Sequence, residues 1–258
     1  MKKVFSFTVL IFFAVRVAYS QGELDEQKKI FYRNERSLAI LLNSNGIGLN
    51  GRYSKRVDAF RKTVYDVEIV SLKHPKEYKR LSQFNPSSRG YVLGKQYNVY
   101  VIRAGYGQQK EIFQKFDIGG VAIRRFYTFG PSLALLKPIY YEINLPNTQE
   151  VIEEKFNIDH ADYILGKASY FKGFGEIKPR PGVFAKAGIS FEFSRYDQVI
   201  HAIEGGAIAE AFPTKLPIMA TKQNYQFFLT LFVSYRFGKV IDPLNPDQKM
   251  PDASEFNY

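Results

Sequence analysis

Asp66 and Glu68 lie two residues apart in Val64–Leu72, a run that alternates apolar and polar residues. In a strand, such residues point the same way. The pair therefore presents two carboxylates to one side, as general acid–base chemistry requires. The competing reading is that they neutralise interior cations such as Arg103 or Arg124. His201 and Glu204, with a nearby serine, are the residue types of a Ser–His–acid lipid hydrolase, but no nucleophile motif accompanies them. His160 stands between Asp159 and Asp162, which are metal-ligating types. A lone histidine among loop carboxylates is otherwise solvated. Gly105 and Gly107 are not followed by the helix that a phosphate cradle needs. None of these sets is assigned as a catalytic, cofactor-binding or metal site, and the chain reads as non-enzymatic with no cofactor.

The elements that would position these residues are strands. Tyr225–Phe237 is the clearest. Tyr225, Phe227, Leu229, Leu231, Val233, Tyr235 and Phe237 share one face, opposed by Gln226, Phe228, Thr230, Phe232, Ser234 and Arg236. An apolar face with aromatics at both ends suits a strand crossing a bilayer between two interfacial girdles, for which roughly 9–11 residues suffice. An edge strand of a soluble periplasmic sandwich is the alternative.

Composition supports export. Met1–Ser20 has the lysines (Lys2, Lys3), apolar core (Val4–Val15) and small residues (Ala18, Ser20) of a signal peptide cut before Gln21. An N-terminal anchor is the other reading. Later windows do not approach the ~18 consecutive apolar residues of a membrane helix. The chain has no cysteine, which excludes disulfides, thiolate metal sites and a cysteine nucleophile. Removing Lys2, Lys3 and Arg16 lowers the formal charge from +11 to +8 (11 − 3). Such a surplus ordinarily serves solubility, and in an outer membrane it would also favour contact with anionic lipid headgroups. Nucleic acid is not an expected partner, because no basic stripe carries interleaved stacking aromatics.

Alternation predicts strands over Ser37–Leu42, Ile47–Ser54, Val64–Leu72, Tyr97–Gly107, Ile118–Thr128, Ser132–Ile143, Val183–Phe193, Ile200–Phe212 and Tyr225–Phe237. Ile118–Thr128 and Ser132–Ile143 read as a hairpin about Phe129-Gly130-Pro131. Gln108–Lys115 reads as a turn, and Thr148–Phe156 as a helix with acid in its first turn. A closed bacterial barrel has an even strand number, so nine strands require a tenth, with Ala161–Phe171 the candidate, or one fewer. The mixed faces bring Arg52, Asp66, Glu68, Arg103, Arg124, Lys186, Glu192, Glu204, Glu210 and Arg236 inward, with Phe126, Phe184, Phe228 and Phe232. A plugged interior is expected, with a small polar pore as the alternative.

Gly90–Lys110, Phe129–Ile143 and Pro181–Phe193 resemble strand and loop signatures of an uncharacterised outer-membrane barrel family of Bacteroidota. The resemblance spans most of the mature chain. It implies a signal peptide and an outer-membrane barrel, and carries no catalytic residues.

The sequence thus predicts an all-β protein, an antiparallel transmembrane barrel of 8–10 strands with long loops. The expected order is a signal peptide (1–20), a periplasmic lead-in (21–36), the barrel (37–238) and an extended periplasmic tail (239–258). The expected function is that of a structural or accessory outer-membrane subunit. A lipid-modifying enzyme and a small-solute pore are the alternatives. Expected partners are outer-membrane lipid and other envelope proteins, met through loops 73–95 and 144–181 and the tail.

Overall fold

The computed structural model describes residues 34–81, 90–115, 120–145, 150–194, 199–221 and 223–241. The signal-peptide segment, most of the lead-in and residues 242–258 of the tail lie outside them. Thirteen strands follow in order: β1 (Asn34–Asn43), β2 (Gly46–Arg56), β3 (Arg61–Leu72), β4 (Lys79–Arg80), β5 (Tyr91–Val92), β6 (Tyr97–Phe113), β7 (Ala122–Pro138), β8 (Tyr140–Asn144), β9 (Val151–Lys155), β10 (Ile164–Lys167), β11 (Lys178–Glu192), β12 (Val199–Ala211) and β13 (Phe227–Ile241). Asn34–Arg36 and Lys239–Ile241 are strand residues, continuing the ladder in which Asn34 pairs with Ile241.

Eight strands close into one antiparallel barrel in the order β1-β13-β12-β11-β7-β6-β3-β2. The even number follows from a correction. Phe129-Gly130-Pro131 is no turn: β7 runs straight through it, and the two predicted strands are one. Gly–Pro usually marks a turn, but here the alternation never breaks. Phe129 and Leu133 face out while Thr128, Ser132 and Ala134 face in. Gly130 permits a close approach, since a Cβ there would lie 2.0 Å from the Ala104 carbonyl oxygen. Gln108–Phe113 likewise continues β6, with Gln109 buried inside the wall.

The barrel has two unlike ends. β1 begins and β13 finishes at the same end, where the connections β2–β3, β6–β7 and β11–β12 are short. At the far end β1 and β2 meet in a tight turn at Ser44-Asn45, and the other three connections, 73–96, 139–177 and 212–226, are long. Connection 139–177 carries a sheet of its own, ordered β10-β8-β9. Val151–Lys155 is therefore a strand rather than part of the predicted helix. Ile164–Lys167, the ordered strand within Ala161–Phe171, pairs with β8 outside the barrel wall. Ile139, Tyr141, Ile143 and Ile164 form the core of this sheet. β4 and β5 pair as a small hairpin.

Outward faces are apolar. On β13, Phe227 is 74%, Leu229 77% and Leu231 65% exposed. Leu38, Ile40, Leu42, Leu49, Val67 and Ile69 continue the band across β1, β2 and β3. Tyr53, Tyr65, Tyr106 and Phe129 run side by side across β2, β3, β6 and β7, neighbouring ring centroids 5.5–6.4 Å apart. Among the described residues no helix is long and apolar enough to cross a membrane, a criterion that does not bear on strands.

Candidate functional site

The interior is layered. Every residue that alternation turned inward is there, and pairing in strand register explains how the charges meet. At the terminal end Glu35 receives Lys62 and Arg124, the latter at 3.5 Å. Arg124 also reaches Glu192 (2.5 Å) and Glu111 (3.7 Å), and Lys115 bonds Glu192 at 3.0 Å. Three cations thus face three carboxylates.

The middle layer is a single connected network. Arg52 donates from Nε to Asp66 and from Nη1 to Glu204, both at 2.7 Å. Arg236 donates to Glu204 through Nε (2.9 Å) and Nη2 (3.0 Å), and also to Ser37 (3.0 Å) and Asn50 (2.6 Å). Asn50 passes the chain to Glu68 at 3.2 Å. Glu68 accepts from Lys186 and Arg103, and Arg103 makes a two-point pair with Glu210 (3.1 and 2.8 Å). Here Arg52, Arg103, Lys186 and Arg236 face Asp66, Glu68, Glu204 and Glu210, four against four. A desolvated charge costs several kcal/mol unless paired and hydrogen-bonded, so the balance lets these groups share a narrow lumen. Arg52 also sits 4.5 Å from the Phe126 ring centroid and Lys186 4.6 Å from that of Phe232.

Towards the far end the lumen turns apolar. Val70, Leu72, Val99, Val101, Ala134 and Leu136 surround Leu216, Ile218 and Met219 of connection 212–226, which crosses the mouth. The Ile218 carbonyl accepts from Gln96 N (2.9 Å) and Tyr97 N (3.3 Å), and Ala220 N donates to the Gly94 carbonyl. The void among Glu35, Arg52, Arg124, Glu204 and Arg236 measures about 10 Å³. The expected plug is therefore double, ionic below and apolar above.

The chemical candidates separate. Asp66 and Glu68 share a face and bind interior cations, Asp66 taking Arg52 rather than Arg124. His201 lies on the outer wall, its Nδ1 2.9 Å from Tyr235 Oη and its ring beside Phe193. Glu204 lies inside with 0% exposure, so the two fall on opposite faces. Ser194 Oγ accepts from the His201 backbone amide, not its ring. The hydrolase set is thus not assembled. His160 Nδ1 lies 2.9 Å from Glu154, and the described residues hold no cluster of three or more metal-ligating side chains.

A cleft that sequence reasoning missed opens at the far end beside the tight β1–β2 turn. It encloses about 810 Å³ and is lined by Asn43, Ser44, Asn45, Ile47, Lys73, His74, Glu77 and Tyr225 with Phe227–Leu229. The only signal was the short Asn-Ser-Asn-Gly turn set against three long neighbours.

Comparison with solved structures finds other small barrels. Ail, the attachment invasion locus protein of Yersinia pestis, is 8% identical, with 82% of this chain and 100% of Ail covered and a TM-score of 0.39. Neisserial surface protein A is 9% identical, with 81% and 97% covered and a TM-score of 0.37. The N-terminal β-barrel domain of Pseudomonas aeruginosa OprF is 6% identical, with 80% and 98% covered and a TM-score of 0.34. No protein-family model and no curated sequence matches the chain. The closed barrel rests on this chain's own strand pairing.

Proposed function

We propose that this chain is a non-enzymatic integral outer-membrane barrel, exported on a signal peptide at Met1–Ser20, whose long connections face the cell exterior. One observation carries the reading: the barrel is turned inside out relative to a soluble one. Large aliphatic and aromatic side chains cover the outside, while paired charges fill the inside. In water a continuous band of this kind is out of keeping with a monomer, which usually exposes contiguous apolar patches of no more than a few hundred Å². In hydrocarbon it is solvated, and closure leaves no strand edge unpaired. Short turns at the terminal end and long loops at the other match the periplasmic and extracellular sides of such barrels.

The filled lumen favours a structural or accessory role over conduction. The ordered sheet β8–β10 of connection 139–177, which overlaps the expected loop 144–181, offers with loop 73–95 surfaces for other envelope proteins, since binding concentrates on loops held by a rigid scaffold. The tail beyond Ile241, where β13 ends, belongs to the same proposal on the periplasmic side. The resemblance to Bacteroidota barrels, carried by the three sequence segments, agrees with this reading.

The test is gel mobility of purified outer membranes with and without boiling. A protein in the outer-membrane fraction whose unheated form migrates differently supports the reading. A soluble periplasmic protein with no mobility difference rejects it.

A further inference from the structure

On β7 the outward face is apolar from Tyr127 through Phe129, Leu133 and Leu135, and then meets Lys137. Lys137 follows Leu136, a lumen residue, so it points out. Tyr127 and Lys137 are ten positions apart (137 − 127). At ~3.3 Å per residue and a tilt of ~40°, that is ~25 Å of height, the height of a barrel's apolar band. Lys137 therefore marks the far edge of the belt. A lysine there would ordinarily extend into water. Instead Lys137 is buried on the outside of the wall. Its ammonium lies 4.1 Å from the Tyr170 ring centroid and 4.7 Å from that of Phe174, and it donates to the Tyr170 carbonyl.

Segment 169–176 thus folds back over the outer wall. Tyr170 Oη lies 2.6 Å from Tyr100 Oη, on the outward face of β6. Gly173 makes the turn at φ 87°, and a Cβ there would lie 3.0 Å from the Pro138 carbonyl oxygen. Glu176 accepts from the Tyr140 hydroxyl and pairs with Lys155 at 2.5 Å, while Lys172 pairs with Glu153. These contacts hold the segment by its polar groups and leave its rings over. Tyr170, Phe171 and Phe174 form one cluster, ring centroids 5.8–6.3 Å apart. Phe171 is nevertheless 80% exposed, and the other two are about half exposed.

Their position decides the partner. The rings stand on the outside of the wall at the belt's far edge, where aromatic side chains collect between hydrocarbon and headgroups. The sheath over Lys137 points the same way. It keeps an ammonium from the surroundings of the wall, which hydrocarbon requires and water does not. We propose that segment 169–176 is an interfacial anchor, with Tyr170, Phe171 and Phe174 seated in the headgroup region of the outer leaflet. The proposal rests on the membrane reading above and names the partner of this part of connection 139–177: the lipid surface itself.

The chain contains no tryptophan, so Phe171→Trp places a single fluorophore in the cluster. The controls are Val233→Trp, within the belt, and Val151→Trp, at the end of β9 that pairs with Asn144, away from the wall. Each mature variant is folded into phosphatidylcholine vesicles and checked for the mobility difference between boiled and unheated samples. The vesicles carry bromine high on the acyl chains, bromine near the chain ends, or none. Phe171→Trp emission is expected to fall by about half with the high label and by less with the low one. Acrylamide in the water phase should reach it weakly. Val233→Trp should be quenched more by the low label, and Val151→Trp by acrylamide alone. A Phe171→Trp that behaves like Val151→Trp overturns the anchor. Shielding from both quenchers means that protein covers the rings, whether a second copy or another partner, and overturns it too. A Val233→Trp that escapes lipid bromine removes the barrel reading as well, so the two failures are distinct.

Discussion

Arg236 on β13 and Glu204 on β12 form a two-point ion pair, Nε to Oε1 at 2.9 Å and Nη2 to Oε2 at 3.0 Å, in a lumen closed to solvent. Glu204 also holds Arg52. One carboxylate thus answers two guanidinium groups, and no other acid in the layer is so placed. Glu204→Gln should leave both arginines short of charge and cost about 3–5 kcal/mol, the usual penalty for breaking a buried pair from one side. Urea-induced loss of the unheated gel band measures it. A midpoint equal to wild type would show that the network is not structural.

Gly130 makes a second prediction. A Cβ there would sit 2.0 Å from the Ala104 carbonyl oxygen, whereas at Gly175 nothing lies within 4 Å. Gly130→Ala should destabilise the wall by about 1–3 kcal/mol, the range for overpacking. Gly175→Ala should be neutral. The comparison is read in the same urea series, and equal midpoints for the two variants would contradict the close approach of β6 and β7.

The apolar plug predicts a local effect. Ile218 has 0% exposure among Val101, Leu136 and Phe228. An unpaired carboxylate is not tolerated there, so Ile218→Asp should expel connection 212–226 from the mouth. The strand ladders do not depend on it. Limited proteolysis of the detergent-folded protein should cut within 212–226 in the variant only, and the mobility difference should persist. Planar-bilayer recordings of the variant should show no conductance, because the ionic layers below still fill the lumen.

The β2–β3 turn predicts a pH dependence. The amides of Phe60 (2.9 Å) and Arg61 (2.7 Å) donate to Asp58 Oδ1 and, helped by the Arg61 guanidinium, hold its carboxyl below the usual range. A depressed folded value means that this stabilisation is complete above the ordinary aspartate range and is lost as pH falls through the folded value. The Phe60 and Arg61 amide resonances should therefore move together on acid titration, with a midpoint below that of an unstructured aspartate. Asp58→Asn should abolish the coupled shift.

Much of this was legible in the sequence. A period of two assigned inside and outside correctly for every charged residue it singled out, because the wall has only two faces and the apolar outer face and the paired interior charges cannot exchange places. Asp66 and Glu68 were read as an interior pair on that ground alone. Partners were not legible: Asp66 meets Arg52 through the β2–β3 register, which no local spacing specifies. Local turn chemistry misled at Gly130-Pro131, where the ladder overrode a turn-forming dipeptide, and in Thr148–Phe156, where pairing with β8 overrode an acidic helix-like start. Leu216, Ile218 and Met219 were passed over inside a loop, since irregular segments carry no period to betray burial. The cleft was invisible for the same reason, being made of the height of one turn relative to its neighbours.

The seam between β1 and β13 joins the first and last strands of the barrel. Arg236 on β13 meets Ser37 on β1 and Asn50 on β2, and Arg52 on β2 meets Glu204 on β12. A slip of one residue along the seam would turn Arg236 onto the apolar outer face, since neighbouring positions alternate faces. A slip of two would keep it inside but carry it away from its acceptors. Closure is thus checked by hydrogen bonding: the observed alignment of the first and last barrel strands brings Arg236 to Ser37, Asn50 and Glu204 together.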